Sequence, residues 1–93
     1  MIVSFADKLT ERLWNRKPAP SLHPEVQRKA RLKLEILNAA ADLTDLRIPP
    51  GNRLETIRGD RNGQYSIHID RRWRICFEWS DGKAMEVESV DYH

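Results

Sequence analysis

The sequence predicts an α+β fold, a twisted and mainly antiparallel β-sheet with two N-terminal helices packed on one face. Three observations predict it. Up to residue 43, apolar residues recur every three or four positions, the period of a helix. After residue 52 they alternate every second position, the period of a strand. Between the halves, Ile48-Pro49-Pro50-Gly51-Asn52 cannot continue a helix, because neither proline donates an N–H. The 93 residues suffice for one domain, 1–93, and not for two.

The elements follow in order. Ile2-Val3-Ser4-Phe5 is β-prone and is expected to join the sheet. From Ala6 to Arg16, Leu9, Leu13 and Trp14 recur at helical spacing, and Pro18 and Pro20 stop that helix. A longer helix starts at Pro24, where the missing N–H costs little, with Ser21 or His23 near the cap. Val26, Ala30, Leu34, Leu37 and Ala41 form one stripe, and Leu32, Ile36, Ala40 and Leu43 a second beside it. So wide an apolar face needs a sheet to pack against. Lys29 and Lys33 fall inside this sector, and their stems are expected along its edge with the ammonium groups in water. Asp42 to Leu46 is expected to be a frayed turn.

The second half reads as strands. Arg53–Ile57 is the first, and Gly59-Asp60-Arg61-Asn62-Gly63 is a turn. Gln64–Ile69 puts Tyr65, Ile67 and Ile69 on one face. After a tight connection at Asp70-Arg71, Arg72–Trp79 puts Trp73, Ile75, Phe77 and Trp79 on one face and Arg72, Arg74, Cys76 and Glu78 on the other. Ser80-Asp81-Gly82 is a hairpin turn, and Lys83–Val90 is the last strand.

Composition narrows the function classes. Hydrophobic residues make up 40% and charged residues 32%, which fits a soluble globular chain and excludes a disordered one. The net charge of +2 hides an asymmetry. Arg47 to Arg74 holds seven arginines against Glu55, Asp60 and Asp70, whereas Ile75 onward holds Lys83 against five acids. Eleven arginines against five lysines suit a phosphate-rich partner, since guanidinium forks match phosphate bidentately. A solvated mixed-sign surface remains equally open on composition alone. A single cysteine, Cys76, cannot staple the fold. No apolar run approaches the roughly 20 residues of a membrane span, and the N-terminus lacks the pattern of a signal peptide. No membrane association is expected, and the cytoplasm is the expected location.

The chemistry-bearing residues are sparse. His23, His68 and His93 are scattered and Cys76 stands alone, so no metal site is expected. Gly59 and Gly63 are isolated turn glycines, not a phosphate loop, and no cofactor is expected. What remains is an arginine-bearing strand face with Arg72 and Arg74, Arg58 at the end of another strand, and the terminal Asp91-Tyr92-His93. Asp91 and His93 share a face, with Tyr92 on the other side or capping the end. Such a set suits RNA cleavage, which needs a base for the 2′-hydroxyl proton, cations for the phosphate and an acid for the leaving oxygen. Histidine titrates near neutral pH, and tyrosine can stack on a base. Each residue also has a plainer reading. The terminus can be a frayed tail, and Arg72 and Arg74 can be cross-strand partners of Glu86 and Glu88. His68 reads as a solvated strand residue and Cys76 as a small packed hydrophobe.

The longer motifs carry a resemblance. They are Pro49-Pro50-Gly51-Asn52-Arg53-Leu54-Glu55, Gly59-Asp60-Arg61-Asn62-Gly63-Gln64, Ser66-Ile67, Trp73-Arg74-Ile75-Cys76-Phe77 and Val90-Asp91-Tyr92-His93. Met1 to Phe5 and Asn38-Ala39-Ala40-Ala41-Asp42-Leu43 add to them. In these the chain is similar to the HigB group of the RelE toxin superfamily, also described as plasmid maintenance killer toxins. The resemblance implies a RelE-like fold and the toxin of a type II toxin–antitoxin system. It implies a ribosome-dependent, metal-independent endoribonuclease that cuts mRNA and inhibits translation. It also implies a HigA-like helix-turn-helix antitoxin as partner, with operator DNA bound only by the toxin–antitoxin complex. Carried over by position, Asp91, Tyr92 and His93 match the functional C-terminus and Arg74 a phosphate-contacting arginine. Arg58 stands where one branch has a functional lysine, and Glu55 where that branch has a histidine. Arg58 is therefore expected to act electrostatically, because arginine is too weak an acid to give up its proton. Glu55 is expected to pair with a nearby arginine rather than serve as a base. Arg53, Arg61, Arg71 and Arg72 are expected to bind RNA. Two other readings stay open: a ParE-like DNA gyrase inhibitor, and a degenerate toxin kept as an antitoxin-binding regulator.

Overall fold

Asp7 opens the first helix, α1 (Lys8–Trp14), because its carboxylate accepts the otherwise orphaned N–H of Thr10 at 2.8 Å. His23 opens the second, α2 (Pro24–Ala39), through Nδ1, which accepts the N–H of Glu25. The computed structural model describes residues 1–57 and 63–92. Two 3₁₀ turns follow α2, at Leu43–Arg47 and Pro50–Asn52. Among the described residues, β1 (Glu55–Ile57), β2 (Gln64–His68), β3 (Trp73–Ser80) and β4 (Lys83–Asp91) form one antiparallel sheet in the order β1-β2-β3-β4. No described helix is long and apolar enough to cross a membrane.

The core lies between the helices and one sheet face. α1 packs on β4 and α2 on β3. Leu13, Leu34, Leu37 and Leu46 are fully buried against Ile67, Ile75, Phe77 and Val87. The expected N-terminal strand is realised as two isolated parallel bridges, Ile2 to Ala84 and Phe5 to Val87. They cover the outer edge of β4, which would otherwise expose unpaired backbone groups.

The structure corrects several element boundaries. α2 stops at Ala39, with Ala40 already extended, so the stripes do not continue to Ala41 and Leu43 as helix. The cause is Asp45, whose carboxylate accepts the N–H groups of both Ala41 and Asp42 at 3.0 Å. That capping turns the expected frayed segment into an ordered 3₁₀ helix and buries Leu46. Leu32 is half exposed, so the second stripe is not wholly buried. Lys33 does not keep its ammonium in water but donates it to Oδ1 of the fully buried Asn52, and burial lowers its pKa. Asn52 in turn donates to the carbonyls of Leu46 and Ile48. β1 begins at Glu55 rather than Arg53, because Arg53 takes a left-handed conformation (φ 46°) at the end of the second 3₁₀ turn. β4 continues through Asp91, one residue beyond the expected end.

Candidate active site

Directly opposed residues of an antiparallel pair share a face. The side of the sheet away from the core is therefore built in rows. Glu55, Ser66, Cys76 and Glu88 make one row across β1 to β4, and His68, Arg74 and Val90 make the next. A register shift between Cys76 and Glu78 sets this alignment. Glu86 sits there with φ 51°, its N–H held by Ser4 Oγ at 2.9 Å. The register opposes Arg74 to Val90, and the partners of Arg72 and Arg74 are Asp91 and Glu55, not the Glu86 and Glu88 of the plainer reading.

Arg74 is the centre of this face. Its Nη1 donates to Glu55 Oε2 at 3.1 Å, the expected pair. Its Cζ lies 4.6 Å from the centroid of the Tyr92 ring, a cation–π contact. Tyr92 reaches this side because its N–H donates to the Arg72 carbonyl, extending the β3–β4 ladder past the end of β4. The Tyr92 hydroxyl lies 4.0 Å from the sulfur of Cys76, which is fully buried.

Asp91 goes the other way. It lies opposite Trp73 in the register, on the core side, and accepts Nε and Nη2 of Arg72 at 2.8 Å each. This carboxylate raises the pKa of the Arg72 guanidinium. The structure thus unites Arg74 and Tyr92 and puts Asp91 with Arg72 at the sheet edge. Arg58, Arg61 and His93 lie outside the described residues.

Beside Arg74 runs an open groove of about 620 Å³, lined by Arg53, His68, Asp70, Arg71 and Arg74 among others. Two of the arginines expected to bind RNA, Arg53 and Arg71, therefore flank the site. Arg72 lines a separate groove with Lys29, Asp70 and Arg71. Asp70 is held by the N–H groups of Arg72 and Trp73, which fixes the β2–β3 turn.

His68 corrects the sequence reading: its side chain is only 14% exposed, with Nε2 at 3.7 Å from Glu55 Oε1. Burial first, then the neighbouring Arg74 charge, lowers its pKa, while Glu55 pulls the other way. The imidazole is accordingly neutral at neutral pH. Gln64 Oε1, Ser66 Oγ and His68 Nε2, all on this side of β2, are buried without a hydrogen-bond partner among the described residues. The polar alternation Gln64, Ser66, His68 against Tyr65, Ile67, Ile69 is visible in the sequence, but placing His68 beside Arg74 required the β2–β3 register.

The comparisons agree with this architecture. A family model described as the RelE-like toxin of type II toxin–antitoxin system HigB matches residues 3–93. The chain is 40% identical over 88 residues to Toxin HigB-1 of Vibrio cholerae serotype O1, covering 94% of this chain and 93% of that one. It is 28% identical over 97 residues to Endoribonuclease HigB of Proteus vulgaris, covering both fully. In fold it resembles YafQ of E. coli, with a TM-score of 0.63 at 13% identity, over 98% of this chain and 91% of that one. It also resembles the YoeB-YefM complex from Staphylococcus aureus, with a TM-score of 0.64 at 13% identity, over 100% and 98%. The chain belongs to the HigB-like toxins, RelE-fold toxins of type II toxin–antitoxin systems.

Proposed function

We propose that this toxin is a ribosome-dependent, metal-independent endoribonuclease that cuts mRNA, inhibits translation in the cytoplasm and is neutralised by a HigA-like helix-turn-helix antitoxin. Operator DNA would be bound by the toxin–antitoxin complex alone. One observation carries the reading: Arg74, fixed between the Tyr92 ring and Glu55, stands at the mouth of an arginine-lined groove. The relative named Endoribonuclease HigB supports it.

In the reaction a base takes the 2′-hydroxyl proton and O2′ attacks the adjacent phosphorus. The 5′-oxygen leaves with a proton, giving a 2′,3′-cyclic phosphate and a 5′-hydroxyl. Arg74 presents its N–H donors to the phosphate, and Arg58 adds positive charge; both favour the transition state as its charge grows. Tyr92 stacks on or orients a base. The bidentate Arg72–Asp91 pair supports an anchoring role for Asp91 at the end of β4, which leaves His93 as the base. Arg53, Arg61 and Arg71 hold flanking phosphates, and Arg72, tied to Asp91, contributes at the edge.

The test is mRNA cleavage on programmed ribosomes, with the intact chain beside a variant lacking His93. Cuts bearing cyclic phosphate ends should appear with the intact chain, require the ribosome and vanish in the truncation, while antitoxin binding persists. A fully active truncation would overturn the role of His93. Trapped gyrase–DNA complexes with no RNA cuts would overturn the nuclease reading.

A further inference from the structure

β2 carries a histidine that the proposed reaction does not use. His68 is largely buried, its Nε2 has no hydrogen-bond partner among the described residues, and that atom lies 3.7 Å from the Glu55 carboxylate, which also holds Arg74. We propose that His68 is a positioning residue of this site, which governs through Glu55 whether Arg74 is tied to a carboxylate or released to an RNA phosphate. The inference rests on the nuclease reading.

The geometry gives Glu55 two claims on it. Oε2 accepts from Arg74 at 3.1 Å, and Oε1 faces His68 Nε2 at 3.7 Å, just beyond hydrogen-bond range. Glu55 is 49% exposed on the short edge strand β1, so a shift of a few tenths of an ångström closes the second contact. With His68 neutral, the charges of Arg74 and Glu55 cancel, and a phosphate must compete with Glu55 for the guanidinium. With His68 protonated, Glu55 gains a second cation and the cluster carries one net positive charge. A phosphate then takes Arg74 without leaving Glu55 unpaired.

The linkage has a definite sign. Among the described residues, the charges acting on the imidazole are Glu55 and Arg53 from the β1 side and Arg74 from β3; Asp70 and Arg71 line the same groove, and Tyr92 packs on Arg74. Burial, Arg74 and Arg53 hold the pKa of the free site below its ordinary value. A bound phosphate offsets the arginines and raises it. Phosphate engagement is therefore coupled to proton uptake at His68. The added affinity is fully present below the free-site pKa and is lost as pH rises through the phosphate-bound pKa.

The experiment is single-turnover cleavage on programmed ribosomes from about pH 5.5 to 8.5, with the intact chain and His68→Gln compared as a ratio at each pH. The ratio cancels the ribosome's own dependence. At the alkaline end, where the imidazole is neutral, the variant should run within about threefold of the intact chain. Toward acid it should fall behind, by up to about tenfold per pH unit, as one linked proton requires. A ratio that stays flat across pH marks a packing role and overturns the proposal. A second readout needs neither cleavage nor the His68 variant's stability. In Glu55→Gln, the NMR titration of the His68 ring should move to lower pH than in the intact chain, because a favourable charge is lost. An unmoved titration overturns the coupling. If the folded intact chain cuts no RNA, the nuclease reading fails, and the ring titration still decides whether Glu55 and His68 act as a unit.

Discussion

Single side chains decide the geometry at both ends of this molecule. Asn52 is fully buried and makes three side-chain hydrogen bonds, accepting from Lys33 and donating to the carbonyls of Leu46 and Ile48. It pins the turn that leads into Arg53 and β1, and so places Glu55. Asn52→Ala should lower the unfolding free energy by about 2–4 kcal/mol, because it strands a half-buried ammonium and two carbonyls. Urea denaturation measures this, and an unchanged midpoint would remove Asn52 from its structural role. The motif around Asn52 was conspicuous in the sequence, but its reason was not. A hydrogen bond from Lys33, on the preceding helix, leaves no periodic trace. The same holds for the partner of Asp91: alternation sets its face in the sequence, but the bond to Arg72 leaves no such trace. Alternation along the strand sends Asp91 and Tyr92 to opposite faces, and Arg72 captures the carboxylate.

At the scale of elements, strands and hairpins were legible wherever local chemistry repeats. The β3–β4 hairpin follows from Asp81-Gly82, which take φ 50° and 75°, the positive pair that a two-residue type I′ turn requires. At Gly82 a Cβ would also meet the backbone carbonyl oxygen of Ala41 at 3.2 Å. Gly82→Ala should therefore cost about 1–2 kcal/mol of stability, seen as a lower Tm. A Tm equal to that of the intact chain would show that the turn tolerates a side chain. Features held by a side chain bonding to the backbone were missed. The bulge at Glu86 depends on Ser4, far away in the chain, and glutamate does not advertise a positive φ. The end of α2 depends on Asp45, while the apolar pattern runs on through Ala41 and Leu43.

At the scale of the whole molecule, the sheet divides the labour. One face packs on α1 and α2, and the other carries Glu55, His68, Arg74 and Tyr92. The alternation in β3 revealed this division, since Trp73, Ile75 and Phe77 could only be core if Arg74 faced away. Charge asymmetry pointed to arginines in the middle of the chain, and Arg53, Arg71 and Arg74 do converge on one groove. Fold and active chemistry remain separate matters, because the RelE-like scaffold positions groups without dictating their use.

The role proposed for Arg74 is to stabilise charge growing on an RNA phosphate. Its most direct test is the single-turnover rate of mRNA cleavage on programmed ribosomes by Arg74→Ala, with folding checked by circular dichroism. The folded variant should cut about 30-fold more slowly or worse, equal to about 2 kcal/mol or more of transition-state stabilisation. A folded Arg74→Ala chain that cuts at the intact rate would contradict it.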